Sequence, residues 1–472
     1  MLLSFAPIAL LVLLLFSAVK LFGADASYGP NQVALLIATA CAGLVGMYRG
    51  MNWADVQDSM VDGIKVGLAP ILILLAVGGL IGSWMIAGTV PAMIYYGVSI
   101  LDPDIFFAAA AIICALASIS IGSSWTVAGT LGIGLMGIAD SYGLPPAMAA
   151  GAIISGAYFG DKLSPLSDTT NLAAACTNVD LFAHIRHMLW TTVPAFCVAL
   201  LFYSFIDSGS AAAPAQIAEL RSAIRDEFNV SFGVLTPLGV MLLLIWRKVP
   251  AYPAIMLATV AGIITALTLQ APVVEKFAFA ANPDTTRPLI EGLWRTLFGG
   301  FQGTTDNESL NSLISKGGIA SMLNTVWLIV SALAFGGVLE RTGILKQILD
   351  AVLKAVKSTG DLVLATVTGG FVTNILAADQ FLAIALPGRL FANTYDDFNL
   401  SRENLSRTLE DSATMTSALI PWNTCGAYMA ATLGVATFDY APYAIFNIVC
   451  PLVAIAFGYL LVKQKPAAAE PA

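Results

Sequence analysis

The stretch GDKLSPLSDTTN, residues 160–171, sets two carboxylates, Asp161 and Asp168, among hydroxyl and amide side chains between apolar flanks. Pro165 removes a backbone donor and disrupts the helix before it, so nearby carbonyl groups are freed. Carbonyl, hydroxyl, amide and carboxylate oxygens suit a hard cation such as Na⁺. A carboxylate in apolar surroundings loses the hydration of its charged form and can exchange a cation for a proton. The stretch predicts a broken helix that binds a cation.

A second stretch of the same kind is LEDSATMTSALIPWNTCG, residues 409–426. Pro421 again interrupts a helical pattern, and Asn423 and Thr424 follow it with further ligand oxygens. Glu410 and Asp411 are adjacent, so their titrations would be coupled if both are buried. Of these two acids we take Asp411 as the cation ligand.

Composition places these stretches in a membrane. Of 472 residues, 58% are apolar and 11% are charged, whereas soluble domains carry about 25% charged residues. This balance excludes a soluble enzyme, and the formal net charge of −8 excludes a nucleic-acid binder with a basic face. Apolar runs of 18 or more residues exclude an outer-membrane barrel, whose strands alternate. The prediction is an all-α polytopic integral membrane protein.

Ten apolar runs are long enough to be membrane spans. They are Leu2–Val19, Val33–Tyr48, Val66–Ile86, Ile105–Ile121, Met188–Ile206, Phe232–Trp246, Tyr252–Leu269, Met322–Val338, Leu362–Leu376 and Ala441–Val462. Two polar segments, Asp207–Asn229 and Pro272–Gly317, interrupt the spans. We divide the chain into four units: N-terminal helices (1–60), a first repeat (61–206), polar linkers with two connecting helices (207–320) and a second repeat (321–465).

The two repeats carry similar features in the same order. GSSWT at 122–126 precedes the first broken helix, and Thr373 and Asn374 precede the second. Asp161 follows Ser124 by 37 residues, as Asp411 follows Asn374. The pattern predicts broken helices near 161–172 and 411–426, each preceded by a polar break and by a stretch that Gly or Pro interrupts. Weak internal symmetry of this sort is typical of secondary transporters, whose site lies where interrupted helices meet.

The candidate ion ligands are polar side chains at these breaks. They are Ser123, Ser124, Thr126, Asp161, Ser164, Asp168, Thr169, Asn171, Thr373, Asn374, Asp379, Asp411, Asn423 and Thr424. The candidates for proton coupling are Asp161, Asp168, Glu410 and Asp411. Two alternatives stay open: Asp161 could simply pair with Lys162, and Asp168 could simply cap a helix.

Other chemistry finds little support. No transition-metal spacing or cofactor motif is evident, so we expect no cofactor besides the transported ions. An embedded hydrolase would need a nucleophile and a base, and Ser155 with His184 is the one conceivable pair. We therefore do not expect an enzyme.

Residues 151–172 and HIRH at 184–187 closely resemble the NhaC family of sodium/proton antiporters. So do GSSWT at 122–126, IPWNTCG at 420–426 and the tract from DQF at 379–381 to LPGR at 386–389. The similarity covers nearly the whole chain from about Asn52. One departure is Ala378, where the family pattern would have glycine before Asp379.

The resemblance implies a multi-pass secondary transporter of the bacterial cytoplasmic (inner) membrane that exchanges Na⁺ for H⁺. It further implies two inverted repeats, each with a re-entrant hairpin and a broken helix. The hairpins would lie near 122–140 and 373–393, with Ser123 and Ser124 at the first tip and Thr373 and Asn374 at the second. Scaffold helices, a homodimer and elevator-type movement are implied as well. Its partners would be Na⁺, protons and the lipid bilayer, with no nucleic acid. Because relatives include a sodium–lactate/proton–malate exchanger, sodium-coupled exchange of a small carboxylate is the alternative, with Arg389 as a candidate anion clamp.

Overall fold

The computed structural model describes residues 2–22, 26, 28–206 and 214–460, and the regular elements in these ranges are all helical. Within the four predicted units, residues 1, 23–25, 27, 207–213 and 461–465 lie outside the described residues. The helices up to the polar linker are α1 (Leu2–Phe22), α2 (Pro30–Tyr48), α3 (Trp53–Val66), α4 (Leu68–Ile86), α5 (Thr89–Gly97), α6 (Phe106–Ile121), α7 (Ser124–Val127), α8 (Ile133–Ser141), α9 (Pro146–Leu163), α10 (Asp168–Thr177) and α11 (Leu181–Phe205).

The helices after residue 213 comprise the connecting segment and the second repeat. They are α12 (Pro214–Glu227), α13 (Thr236–Trp246), α14 (Ala251–Leu269), α15 (Ala271–Ala281), α16 (Pro288–Gly299), α17 (Glu308–Ile314), α18 (Leu323–Arg341), α19 (Ile344–Leu353), α20 (Thr359–Ala377), α21 (Gln380–Asp397), α22 (Arg402–Leu409), α23 (Met415–Ser417), α24 (Thr424–Leu433), α25 (Thr437–Tyr440) and α26 (Ile445–Leu460). Short 3₁₀ or π turns are Pro103–Ile105, Ala128–Gly132, Phe232–Leu235, Ile319–Met322, Glu410–Thr414 and Ala441–Tyr443.

Eight helices in the described ranges are long and apolar enough to cross a membrane, and ten are if each of two sharply bent pairs is one span. The bent pairs contain α13 and α26, with bends of 89° and 57°. Each of the ten apolar runs overlaps one of these spans, and residues 461 and 462 of the last run lie outside the described residues. The prediction of an all-α polytopic membrane protein is confirmed.

Helices α6 and α9 pack at backbone distance because small residues line their contact. A Cβ added to Gly156 would lie 2.0 Å from the carbonyl oxygen of Ala111, so no larger side chain fits there. Small residues at helix interfaces give membrane helices the close contact that lipid-facing apolar surface cannot supply. This contact brings α9, which ends beside Asp161, against the hairpin formed by α6, α7 and α8.

Each half contains a helix–turn–helix whose turn has the same backbone. In the first half, α6 ends at Gly122 (φ 74°) and Ser123 caps α7; in the second, α20 ends at Ala378 (φ 58°) and Asp379 caps α21. A left-handed residue followed by an extended capping residue reverses the chain without a longer loop. The second turn is therefore at 378–379. Thr373 and Asn374, predicted to form the hairpin tip, lie inside α20.

The broken helices also match in position. Helix α9 ends before Pro165 and Ser167 caps α10, whereas α23 ends before Pro421 and Asn423 caps α24. Ser167 follows Ser123 by 44 residues, and Asn423 follows Asp379 by the same number. The two halves correspond at a spacing of 256 residues, rather than the 250 that pairs Asp161 with Asp411. The inverted relation between the halves and the limits of the four units stay predictions.

Candidate ion-binding site

A cavity of about 490 Å³, here called the Asp161 cavity, lies between the first hairpin and the helices α4, α13 and α14. Polar side chains of the first repeat line one part of it, and apolar side chains such as Ile73 line another. The charged side chains among its lining residues are Asp161, Asp168 and Lys248. The cavity thus leads to the first predicted ligand stretch.

Asp161 is the buried acid of this cavity, with 7% of its surface exposed. Its Oδ2 atom accepts hydrogen bonds from the backbone N of Ser124 (3.0 Å) and from Ser124 Oγ (2.6 Å). These contacts join the end of α9 to the start of α7. Neutral donors stabilise the carboxylate without a counter-charge, so Asp161 keeps its capacity to attract a cation.

A second buried acid, Glu410, is linked to the same place through hydroxyl groups. Thr169 Oγ1 donates to Glu410 Oε1 (2.8 Å) and lies 3.1 Å from Ser167 Oγ. The other carboxylate oxygen of Glu410 has no hydrogen-bond partner, and Glu410 is close enough to Asp161 for their charges to interact. Glu410 opens a π-helical turn, a feature frequent at functional sites.

Asp411 occupies a different environment. It pairs with Lys162 and, at 3.5 Å, with Arg407, and it also accepts from Thr191 (3.1 Å). All three charged side chains are fully buried. Because two cations already compensate this carboxylate, the structure does not support Asp411 over Glu410 as the cation ligand. The alternative in which Asp161 pairs with Lys162 is wrong as well.

The remaining predicted ligands of the first half divide into two groups. Ser123, Thr126 and Asp168 line the Asp161 cavity, although Asp168 is exposed at the start of α10. Ser164 and Asn171 do not line it. Their side chains satisfy the broken backbone: Asn171 Nδ2 donates to the carbonyl oxygens of Pro165 and Ser167, and Ser164 Oγ accepts from the Leu166 amide. The carbonyls expected to be free are thus partly occupied.

In the second half, the amide residues hold helices together. Asn374 donates to the carbonyl oxygen of Ala413 (2.5 Å) and accepts from Asn423 (3.0 Å). Thr373 donates to its own helix at Gly369, and the backbone N of Thr424 donates to the carbonyl of Ala378. The Asp161 cavity and a second cavity, which contains Asp379, are both lined by other residues than Thr373, Asn374, Asn423 and Thr424.

Asp379 does not line the Asp161 cavity, although the next two residues, Gln380 and Phe381, do. It lines a second cavity of about 680 Å³, the Asp379 cavity, between α21 and the helices α3 and α18. The two cavities have Val66 and Phe381 in common. Asp379 is therefore not brought together with Asp161, in contrast to the single ligand set that the sequence suggested.

Two charged residues, Arg407 and Lys248, escaped the sequence reasoning, and the partner of Lys162 was assigned to the wrong acid. Asp411 lies 249 residues from Lys162, so sequence proximity favoured the wrong partner. Arg407 precedes Asp411 by one helical turn, a spacing that could have identified their contact. Arg389, the candidate anion clamp, is exposed and lines neither cavity. Ser155 and His184 bind Tyr203 and Ser406 respectively and do not form a pair.

Comparison with known proteins gives a consistent result. Residues 156–461 match the model of the Na⁺/H⁺ antiporter family. The Na⁺/H⁺ antiporter NhaC of Alkalihalophilus pseudofirmus is 40% identical over 91% of this chain and 90% of its own length. Two Bacillus subtilis proteins, a malate-2H⁺/Na⁺-lactate antiporter and an NhaC antiporter, are 37% and 36% identical over 91% of this chain and 89% and 92% of theirs.

These relatives and the candidate spans together identify a multi-pass protein of the bacterial cytoplasmic membrane. The resemblance seen in the sequence motifs is confirmed across nine-tenths of the chain. The chain belongs to the NhaC family of Na⁺/H⁺ antiporters.

Proposed function

We propose that the protein exchanges Na⁺ for H⁺ across the cytoplasmic membrane. Asp161 and Glu410 are the carboxylates for which Na⁺ and protons compete. The observation that carries this proposal is the pairing of two buried acids by hydroxyl groups at the Asp161 cavity, with one Glu410 oxygen unpartnered. The family relationship supports the same ions. No cofactor is needed in the proposed cycle.

Competition at the acids couples the two fluxes. Buried carboxylates close to one another resist carrying two uncompensated charges, so either Na⁺ or protons must be present. Hydroxyl oxygens of Ser123, Ser124 and Thr169 are suited to complete the shell of a hard cation. When protons occupy the acids, the attraction for Na⁺ is lost, and each ion displaces the other.

The movement between the two sides of the membrane belongs to the same proposal. We take the first hairpin, the broken helices and their partners as a transport unit that moves elevator-fashion against scaffold helices such as α4, α14 and α18. The Asp161 cavity lies between these two groups of helices, as a site exposed by their relative movement would. The homodimer carried over from the resemblance would place the scaffolds at the subunit contact, and the mass of the purified protein tests it.

The decisive experiment uses purified protein in liposomes that contain a pH-sensitive dye. An imposed Na⁺ gradient should change the internal pH, and a choline gradient should not. The KM for Na⁺ should rise as pH falls, by up to about tenfold per pH unit for each competing proton, because occupancy follows mass action. Glu410→Gln should weaken this pH dependence. A wild-type protein that produces no Na⁺-driven pH change would refute the proposal.

A second candidate function is sodium-coupled exchange of a small carboxylate. The size of the Asp161 cavity and the residues that line it support this function. Its volume of about 490 Å³ far exceeds that of a sodium ion, and its lining residues include the apolar rings of Trp125 and Phe381 and the cationic side chain of Lys248. One fixed cation among apolar and hydroxyl groups is suited to a short organic anion. A relative exchanges malate and lactate, as its name states.

Uptake of labelled malate or lactate into the same liposomes distinguishes the two functions. Sodium-dependent uptake would favour the carboxylate exchanger if Lys248→Gln reduces it at least about tenfold. A tenfold reduction corresponds to the loss of one close charge pair worth about 1.4 kcal/mol. Antiport of Na⁺ and H⁺ with no organic acid present would exclude it as the obligatory reaction.

A further inference from the structure

The Asp379 cavity ends at a carboxylate that the proposed exchange site does not use. Asp379 is 1% exposed, whereas Asp62, Glu340 and Arg341, which also line the cavity, are exposed. The cavity therefore connects a solvent-accessible charged rim with one buried acid at the turn between α20 and α21.

Capping of α21 accounts for only one of the two oxygen atoms of the Asp379 carboxylate. Oδ1 accepts a hydrogen bond from the backbone N of Leu382 (2.8 Å), which is the usual work of an N-cap. Oδ2 is buried and has no hydrogen-bond partner. At the corresponding position of the first half, Ser123 caps α7 with an uncharged hydroxyl that accepts from Thr126 N (3.2 Å). The cap therefore does not require a charge.

An ionised, unpaired carboxylate in this position would be costly, because burial removes its hydration without replacing it. The charged and titratable groups facing it from the neighbouring helices are Glu340 on α18 and Cys425 on α24. Asp62 on α3 pairs with Lys65, and Arg341 on α18 forms no ion pair with Asp379 in the described part of the chain. The nearby acid favours uptake of a positive charge.

The atoms around Oδ2 suit a proton better than a metal cation. A sodium ion needs several oxygen ligands at once, whereas the cavity wall beside Asp379 is built mainly from apolar residues such as Leu333, Leu382 and Ala385. The hydroxyl of Ser59 donates to the carbonyl of Asp55. One proton on Oδ2 would convert the carboxylate into a neutral acid and remove the burial penalty.

We propose that Asp379 is a second proton-binding group, reached through the Asp379 cavity and separated from the Asp161 cavity by Phe381. Its Oδ2 atom takes up a proton from the solvent on one side of the membrane to form the carboxylic acid and, after the proposed elevator movement, releases that proton to the solvent on the other side. Resting on the proposed Na⁺/H⁺ exchange, this assignment adds one proton per transported Na⁺. The proton at Asp379 does not compete directly with Na⁺, because the two groups line different cavities.

Infrared spectroscopy of the purified full-length protein tests proton binding directly. Acidification should produce a carbonyl-stretch band of a buried carboxylic acid that Asp379→Asn removes. The band should persist in Asp161→Asn and should not respond to added Na⁺. Asp62→Asn, at the exposed rim where Asp62 pairs with Lys65, is the matched control and should retain the band. An Asp379→Asn spectrum identical to that of the wild type would overturn the assignment.

The ratio of protons to Na⁺ provides the functional readout. In liposomes, the gradients at which net flux stops should show that Asp379→Asn exchanges one proton fewer per Na⁺, whereas the control Asp62→Asn exchanges the wild-type number. An unaltered ratio in Asp379→Asn would contradict the proposal. If the wild type exchanges no Na⁺ for protons, the exchange function fails while the infrared band still decides Asp379. Asparagine caps helices as well as aspartate does, and Asp379→Ser, which copies the cap at Ser123, is a second variant that preserves folding.

Discussion

The two hairpin turns share their backbone geometry but differ in the chemistry they hold. At the first, Ser124 donates to Asp161 at 2.6 Å, and at the second the corresponding pair, Gln380 and Ser417, is 3.4 Å apart and uncharged. Each pair is separated by 37 residues. The same contact between hairpin and broken helix thus carries a charge in one half only.

A second pair of contacts shows that the shared geometry extends beyond the turns. Ser118 donates to the carbonyl of Ala157 in the first half, and Asn374 donates to that of Ala413 in the second, at positions 256 residues apart. Backbone packing is repeated while side-chain charge is not. This difference supports the proposed ion binding at the first turn, whereas the second turn holds helices together and contributes Asp379 to a separate cavity.

The largest expected effect is on the charged contact itself. Asp161→Asn should lower Na⁺/H⁺ exchange at least about 1000-fold, equivalent to about 4 kcal/mol, because the neutral amide cannot exchange a proton for Na⁺. The matched variant Ser417→Ala should change the rate less than about threefold, a difference below about 1 kcal/mol. Initial rates in liposomes measure both. Equal losses in the two variants would show that the halves are chemically alike.

The next effect concerns the buried ion pairs of Asp411, because the corresponding residue of the first half, Ser155, is uncharged. Asp411→Asn should lower the free energy of unfolding by about 3 kcal/mol, because Lys162 and Arg407 would remain buried without a counter-charge. The corresponding residue, Ser155, is hydrogen-bonded to Tyr203 (2.7 Å), and Ser155→Ala should destabilise by about 1 kcal/mol. Unfolding in detergent compares them. A smaller loss for Asp411→Asn than for Ser155→Ala would contradict the ion-pair assignment.

The turns themselves provide a third comparison. Gly122→Ala should destabilise by about 2 kcal/mol, because alanine is strained at positive φ and its Cβ would lie 2.7 Å from Leu166. Ala378→Gly should change stability by less than about 1 kcal/mol, since relief of strain is offset by greater freedom of the unfolded chain. The same unfolding measurement applies. A tolerant Gly122 would mean that the first turn is less tightly packed than the second.

The smallest effect tests the turn residue of each contact, which is the donor Ser124 in the first half and the acceptor Gln380 in the second. Ser124→Ala removes one hydrogen bond to Asp161 and should change the KM for Na⁺ about fivefold, equivalent to about 1 kcal/mol. Gln380→Ala removes a longer contact and should change the KM less than about twofold. Rates measured over a range of Na⁺ concentrations distinguish the two. A larger effect at Gln380 would place the ion nearer the second half of the molecule.

The helices were predictable because their signal is local. Every apolar run became a span or part of a bent pair, and both proline breaks occur where the sequence placed them. The correspondence of the halves was shifted by six residues, since polar residue types were matched instead of backbone signals. The spacing of Pro165 and Pro421 equals that of the turns and would have given the correct alignment.

The choice between neighbouring acids could not be made in the same way. Glu410 and Asp411 are adjacent, yet one contacts Thr169 and the other contacts Lys162 and Arg407. Their directions depend on the π-helical turn that begins at Glu410 and on helices more than 200 residues away in sequence. No local pattern reports such partners.

By itself, the sequence determined the membrane environment, the helices and the places where they break, because apolar length, glycine and proline act on the chain locally. Only the tertiary structure decided which buried acids are compensated and which remain open to a cation or a proton. The physical reason is that a carboxylate's function depends on the charges and donors within a few ångströms, and those come from the other half of the molecule.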